Sequence, residues 1–256
     1  MGAVTSKQGL AARGGITSAQ LAKAGWTGPE EPLLSKFGYY KMFTDGCHRP
    51  EFLTQYLGQK YYYDATIKPW PCCRIPHSAI QCALTLMKEQ NFKADDIQSI
   101  NLEVAQGGID HICGHPFKIG AFPHGNAAFS YEYVVATAFL FGGVKPEHFT
   151  EKAIRNPQIM EFIKKIKLTA AKDVEFEKAR MTVTLKDGRK LTETVTKVKG
   201  EPLTNPMSHE DIIAKFWMNV DFTQKISRKK AEQLLDTLLN LEKLDSIRKL
   251  VALMVA

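Results

Sequence analysis

The chain has 256 residues, enough for one large domain or two small ones, and its 44% hydrophobic and 24% charged residues suit a packed soluble fold. No apolar run is long enough to span a bilayer, and the first residues lack the charged-then-apolar pattern of a signal peptide. The net charge of +7 is spread out, with small clusters at Lys164-Lys165 and Arg228-Lys229-Lys230, and no basic stripe is interleaved with aromatics, which argues against a nucleic-acid partner.

Taken in order, residues 1–28 read as a helix already under way. Leu10, Ala11, Ala12, Ile16, Ala19, Leu21 and Ala22 are small or apolar, and Gly25 and Gly28 punctuate its end. Glu31 to Phe43 reads as a second helix. Phe37, Tyr39, Tyr40, Phe43, Phe52, Tyr56 and Leu57 read as an aromatic core cluster. Residues 59–70 read as a strand, Pro76 to about Glu89 as a helix, and Ser99–Val104 as a half-buried strand, so this section is β-α-β. Gly107 to Asn126 reads as a long connection. Ala127 to Phe141 reads as one buried helix stopped by Gly142-Gly143, with shorter helical pieces at 146–150 and 156–163.

Strands follow at 167–171, 175–185 and 190–198, the last two joined through Asp187-Gly188, a strong hairpin signal. From Pro202 onward the chain is helical. Ser208 with Asp211 resembles a capping box, and Ser227 caps the next helix. The organisation is an α+β fold: helices over 1–58, an α+β block over 59–200, and helices over 201–256. Each helical end alone is too small to bury its apolar surface, so the two ends are expected to pack together around the inserted block.

The densest chemistry lies in Ile67-Lys68-Pro69-Trp70-Pro71-Cys72-Cys73-Arg74-Ile75-Pro76-His77-Ser78. Each residue before a proline is biased toward extended geometry, and Pro76 suits the start of a helix. Cations are thereby delivered to a helix N-terminus, where anions are favoured. Lys68 either titrates as a desolvated amine or pairs with a carboxylate, against the commoner role of a strand-end lysine reaching solvent. Arg74 and His77 fall near each other, and arginine suits bidentate carboxylate binding. Ser130, Tyr131 and Tyr133 lie on the most buried helix. There Tyr133 is a proton or hydrogen-bond donor to substrate, or a satisfied core tyrosine. His111-x-Cys113-x-His115 lacks a fourth ligand, so no metal is expected. The five cysteines, Cys47, Cys72, Cys73, Cys82 and Cys113, are odd in number and irregular in spacing. That pattern argues against a secreted disulfide framework and for a reducing compartment.

Several stretches together resemble the MmgE/PrpD family. They are Gly9-Leu10-Ala11-Ala12 through Gly25-Trp26-Thr27-Gly28, Lys68-Pro69-Trp70-Pro71-Cys72-Cys73-Arg74 with His77-Ser78, and Ala127 through Tyr133 ending in Gly142-Gly143. Val183 through Gly188 and Pro206-Met207-Ser208 complete the series. The resemblance implies a helical domain with an inserted α+β lid, and a homodimeric lyase or isomerase acting on small di- and tricarboxylates. It implies no cofactor and an active site between the domain and the lid. On this resemblance Lys68 and Tyr133 match the family's lid-edge lysine and active-site tyrosine. Lys7 stands in the window of an early basic pair, and Arg74, His77 and Ser130 join the substrate-binding set.

The family chain is nearly twice as long, so the resemblance also implies that the N-terminal half of the helical domain, with much of the acid–base machinery, is missing here. The expected functions are a dehydratase- or decarboxylase-like lyase, incomplete as this chain, a non-catalytic partner subunit, or an isomerase or epimerase of an amino-dicarboxylate. The expected partner is a second copy or a chain carrying the missing half. The expected location is the cytoplasm, or the mitochondrion if Met1 is not the natural start.

Overall fold

The structure, a computed structural model, describes residues 2–60 and 65–255, with the side chains of residues 2–7 outside that description. The chain divides into two compact units, Met1–Asp64 and Ala65–Ala256.

The first unit opens with α1 (Gly2–Lys23). It ends where Gly25 takes a φ of +93°, a left-handed conformation that glycine adopts without cost. Residues 8–34 are exposed throughout. The helix expected over 31–43 is confined to α2 (Tyr39–Phe43). Its first part turns back instead: the Glu31 carboxylate accepts from the backbone of Leu33 and Leu34, and the Tyr39 amide donates to the Pro32 carbonyl. The aromatic residues do not form the expected core. Tyr39 meets Tyr40 and Phe43, but Phe37, Phe43, Phe52 and Leu57 stand largely exposed. Of the strand expected over 59–70, residues 61–64 lie outside the described residues, and residues 65–68 carry no regular structure.

The second unit is built on the alternation seen in its strands. β3 (Ala179–Leu185) buries every second residue, and β1 (Ile97–Val104) does so from Ile100 onward, after a register shift between Ile97 and Ser99, as a sheet covered on one face requires. With β2 (Ile166–Ala170) and β4 (Lys190–Val195) they form one sheet in the order β2-β1-β3-β4. β1 runs parallel to β2 and antiparallel to β3, and β3 and β4 are the expected hairpin. Gly188 closes that hairpin with a φ of +90°. In chain order, α3 (His77–Gln90) precedes β1. The long connection after β1 holds more structure than its glycines suggest: α4 (Gln106–Asp110), a 3-10 turn over Ile112–Gly114, and α5 (Pro123–Ala128).

The helix expected over 127–141 is broken. α5 stops at Ala128, and α6 (Tyr131–Phe141) restarts when the Ser130 hydroxyl accepts from the Tyr133 amide at 3.2 Å. α7 (Glu151–Ile154) and α8 (Pro157–Ile163) lead into β2. The core lies where α3 packs on β3 and β4 on one side and on α6 on the other, around Ile80, Cys82, Leu102, Tyr133, Phe139, Met181 and Leu185, all essentially inaccessible.

After the sheet come α9 (His209–Thr223), α10 (Arg228–Leu239) and α11 (Ile247–Met254). The Ser208–Asp211 capping box and the Ser227 cap form as expected. Among the described residues no helix is long and apolar enough to cross a membrane.

Candidate carboxylate site at the start of α3

Proline stiffens residues 69–76, and long-range bonds hold that run in place. The Ile67 amide donates to the Gly200 carbonyl at 3.2 Å, and the Cys73 amide donates to the Ala128 carbonyl at 2.8 Å. Gly200 has a φ of +91°, and a Cβ there would stand 2.0 Å from the Ile67 carbonyl oxygen. The run is therefore gripped between the 198–201 segment and the end of α5.

Five of the expected residues behave differently within this frame. Lys68 stays exposed along its stem while its ammonium donates to the Cys72 carbonyl at 3.0 Å. Arg74 is half-buried and donates to the carbonyls of Lys199 at 2.7 Å and Val198 at 3.4 Å. Its Nη2 also lies 3.5 Å from Glu201 Oε1, which Lys178 contacts at 2.7 Å. Burial works against the Glu201 carboxylate, but hydrogen bonds from Lys178 and Thr204 and the nearby charges hold it below the usual range. Arg74 is thus largely occupied by the protein itself.

His77 is wholly buried, at 0% exposure, with its ring edge-on to Trp70 at 5.1 Å. Arg74 Nη1 lies 3.4 Å from His77 Nδ1. A guanidinium can only donate, so Nδ1 accepts and the imidazole proton sits on Nε2. Nε2 and the adjacent Ser78 Oγ are buried without a well-formed hydrogen bond in the protein. Burial, then the charges of Arg74, Lys68 and Lys215, push the His77 pKa down to about 3, with a weaker opposing pull from the Cys72 backbone. The ring is neutral at physiological pH.

Ser130 is buried and its hydroxyl is spent capping α6. Tyr133 is fully buried between Phe117 and Phe149, and its phenol donates to the His148 carbonyl at 2.5 Å. Burial raises its pKa to about 12. The side chain of Lys7 lies outside the described residues.

Several residues at this place carried no local sequence signal. Lys215, half-buried on α9, has its pKa lowered by burial and then by the charge of Lys68. Two ammonium groups from segments far apart in the chain therefore feel each other, and both act on His77. Glu177, Lys178 and Glu201 complete the charged border around Arg74. Tyr131 is the buried tyrosine whose ionisation is suppressed by burial and then by Cys113 and Cys73. Its phenol is so close to Gly108 that an added Cβ would lie 3.1 Å away. Only the helical spacing of Lys215 on an amphipathic segment could have hinted at its role. Among the described residues no group of three or more His, Cys, Asp or Glu side chains is placed to hold a metal ion. His111 Nδ1 instead accepts from the Cys113 amide at 3.3 Å.

Comparison with known proteins bears on the same region. The chain is 26% identical to human cis-aconitate decarboxylase over 258 residues and 26% identical to the mouse protein over 259. Each alignment covers 96% of this chain and 51% of the relative, so the chain spans about half the length of the curated relatives it matches. The MmgE/PrpD C-terminal domain matches residues 70–241, which include all of the site but Lys68, and on that match the chain belongs to the MmgE/PrpD family.

Proposed function

We propose that residues 65–256 form one wall of a lyase site for a small di- or tricarboxylate, of the dehydratase or decarboxylase type. What supports this reading is the stiff run that sets Lys68, with its ammonium on the Cys72 carbonyl, near the buried Nε2 of His77, together with the charges of Lys68 and Lys215 that both keep His77 neutral. Like charges held near a buried, unpartnered donor are costly unless an anion joins them. Arg74, tied to backbone carbonyls and bordered by Glu201, orients that wall more than it adds free charge. A carboxylate between the ammonium groups would be met by charge-assisted hydrogen bonds. The names of the relatives, cis-aconitate decarboxylase in both cases, support a lyase reading of this site. On this reading the sheet block is the lid, and a second copy or a chain with further helices supplies the opposite wall.

The test is calorimetric titration of the full chain with cis-aconitate and citrate. Lys68→Ala should weaken binding at least tenfold, roughly the 1.4 kcal/mol of one good charged contact, with an unchanged far-UV CD spectrum. Equal binding by the variant would remove Lys68 from the site.

A second reading, a binding subunit without chemistry of its own, has one observation in its favour. The Tyr133 phenol already donates to His148, so it offers no proton to a ligand without leaving that carbonyl. Turnover of cis-aconitate or a methylcitrate-type tricarboxylate by the isolated chain would exclude this reading. Racemisation of an amino-dicarboxylate instead would point to the isomerase branch of the family.

A further inference from the structure

The sheet has two unlike faces. Ile100, Leu102, Met181 and Val183 turn into the core, and the polar residues that alternate with them turn outward. The register sets Asn101 between Lys167 of β2 and Thr182 of β3, and Thr184 between Ser99 of β1 and Lys190 of β4. With Lys164 and Lys165, which lead into β2, these residues line a hollow of about 560 Å³. Small-molecule sites usually enclose about 300–1,000 Å³. Four lysines and no carboxylate line this one.

Charge is handled differently at the two ends of this face. At one end Arg180 is held by Glu103 at 2.8 Å and by Asp173 at 2.6 Å, so its charge is spent. At the other end Lys164 pairs with Glu161 at 2.6 Å. Lys165 donates to the Ile97 carbonyl at 2.8 Å, and its ammonium lies 5.2 Å from the centre of the Phe162 ring. Lys167 and Lys190 are exposed, and among the described residues their ammonium groups have no partner. Donors are left over on the floor as well. Asn101 Oδ1 accepts from the Thr169 hydroxyl at 3.1 Å, which leaves the Asn101 amide N–H groups to a ligand.

The spacing selects the ligand. Lys167 and Lys190 stand on the outer strands β2 and β4, three strand spacings or about 14 Å apart. A linked run of phosphoryl groups spans that distance with both lysine stems relaxed. A single phosphate would need both stems laid fully across the sheet. Lysine meets phosphate oxygens as a compact point charge, and the hydroxyl and amide donors between the lysines suit the remaining oxygens. We propose that this outer face of the sheet binds a small polyphosphate, with Lys167 and Lys190 at its ends and Asn101 and Thr184 beneath its middle. The site is distinct from the carboxylate site, because α3 packs on the opposite face of β3 and β4.

The test is calorimetric titration of the full chain with sodium tripolyphosphate, with inorganic phosphate and citrate as comparisons. Tripolyphosphate should bind one per chain and at least about tenfold more tightly than inorganic phosphate. Lys167→Ala with Lys190→Ala should weaken it at least about tenfold, with an unchanged far-UV CD spectrum. Thr184→Val, which removes a hydroxyl and no charge, should weaken it about threefold. Lys225→Ala with Lys229→Ala, which removes the same charge from exposed positions elsewhere, should have no effect. Absence of tripolyphosphate binding, or full binding by the Lys167/Lys190 variant, would overturn the proposal. Equal weakening by the Lys225/Lys229 variant, or none by Thr184→Val, would reduce the effect to surface charge and overturn it too. Loss of tripolyphosphate binding in Lys68→Ala would place the anion in the carboxylate site instead. Citrate binding by the Lys167/Lys190 variant reports on the carboxylate site alone, so the two readings fail separately.

Discussion

His77 shows how a single side chain converts burial into pH dependence. Its pKa near 3 in the folded chain lies well below the value of about 6.5 expected when unfolded. Between those values the unfolded state binds the extra proton, so stability rises with pH across that window and is lost as pH falls through it. The slope for one proton is about 1.4 kcal/mol per pH unit. Urea midpoints measured from pH 4 to 7 should therefore climb, and His77→Gln should flatten part of that climb; an unchanged slope in the variant would show that other groups carry it. The type of residue was legible in the sequence, since His77 stands three residues after Arg74. Its neutrality was not, because Trp70, Lys215 and the depth of burial are properties of packing.

Among the elements, local signals survived and distant ones were invisible. The Ser208–Asp211 box, the Ser227 cap and the Asp187-Gly188 hairpin involve neighbours in the chain, so their residues announce them. The aromatic stretch over 37–57 misleads for the converse reason. Composition suggests a core, but the turn at 31–39 leaves its rings with few partners. The contact between Gly200 and the Ile67 carbonyl joins segments that no window of sequence would pair.

Two substitutions separate these classes. Ser208→Ala removes a cap on α9 and should cost about 1 kcal/mol of stability, with tricarboxylate affinity little changed. Gly200→Ala meets both a left-handed backbone, about 1–2 kcal/mol for a residue with a Cβ, and the Ile67 carbonyl, so it should lower both the melting temperature and the affinity. Denaturation and titration of the same two variants check the contrast; equal loss of affinity in both would mean that the grip on residues 67–69 does not position Lys68.

For the whole molecule, the two units differ in how they treat apolar surface. The second buries a continuous core across α3, α6 and the sheet. The first leaves Leu10, Ile16, Trp26, Phe37, Met42, Phe43 and Leu57 more than 60% exposed. Where such exposed apolar residues adjoin one another, they mark surfaces that associate. If the chain works as proposed, as one wall of a shared site, sedimentation should show a species heavier than the 28.7 kDa monomer, and Trp26→Glu with Phe43→Glu should return it to monomer. A wild-type monomer at every accessible concentration would turn the search to a different chain as the missing wall.

The gap between α5 and α6 has a consequence at a distance. In an unbroken helix the Ala128 carbonyl would be consumed by the amide of Glu132 four residues on. Because the helix lapses at Phe129 and is restarted by Ser130, that oxygen is left to receive Cys73. An interruption in one element thus serves as an address for another, and residues 128–130 help decide where Arg74 and the thiols stand. A change that healed the helix would tidy its hydrogen bonding and at the same time erase the address. Tolerance to substitution at these positions should accordingly follow the persistence of the break more closely than helix-forming tendency.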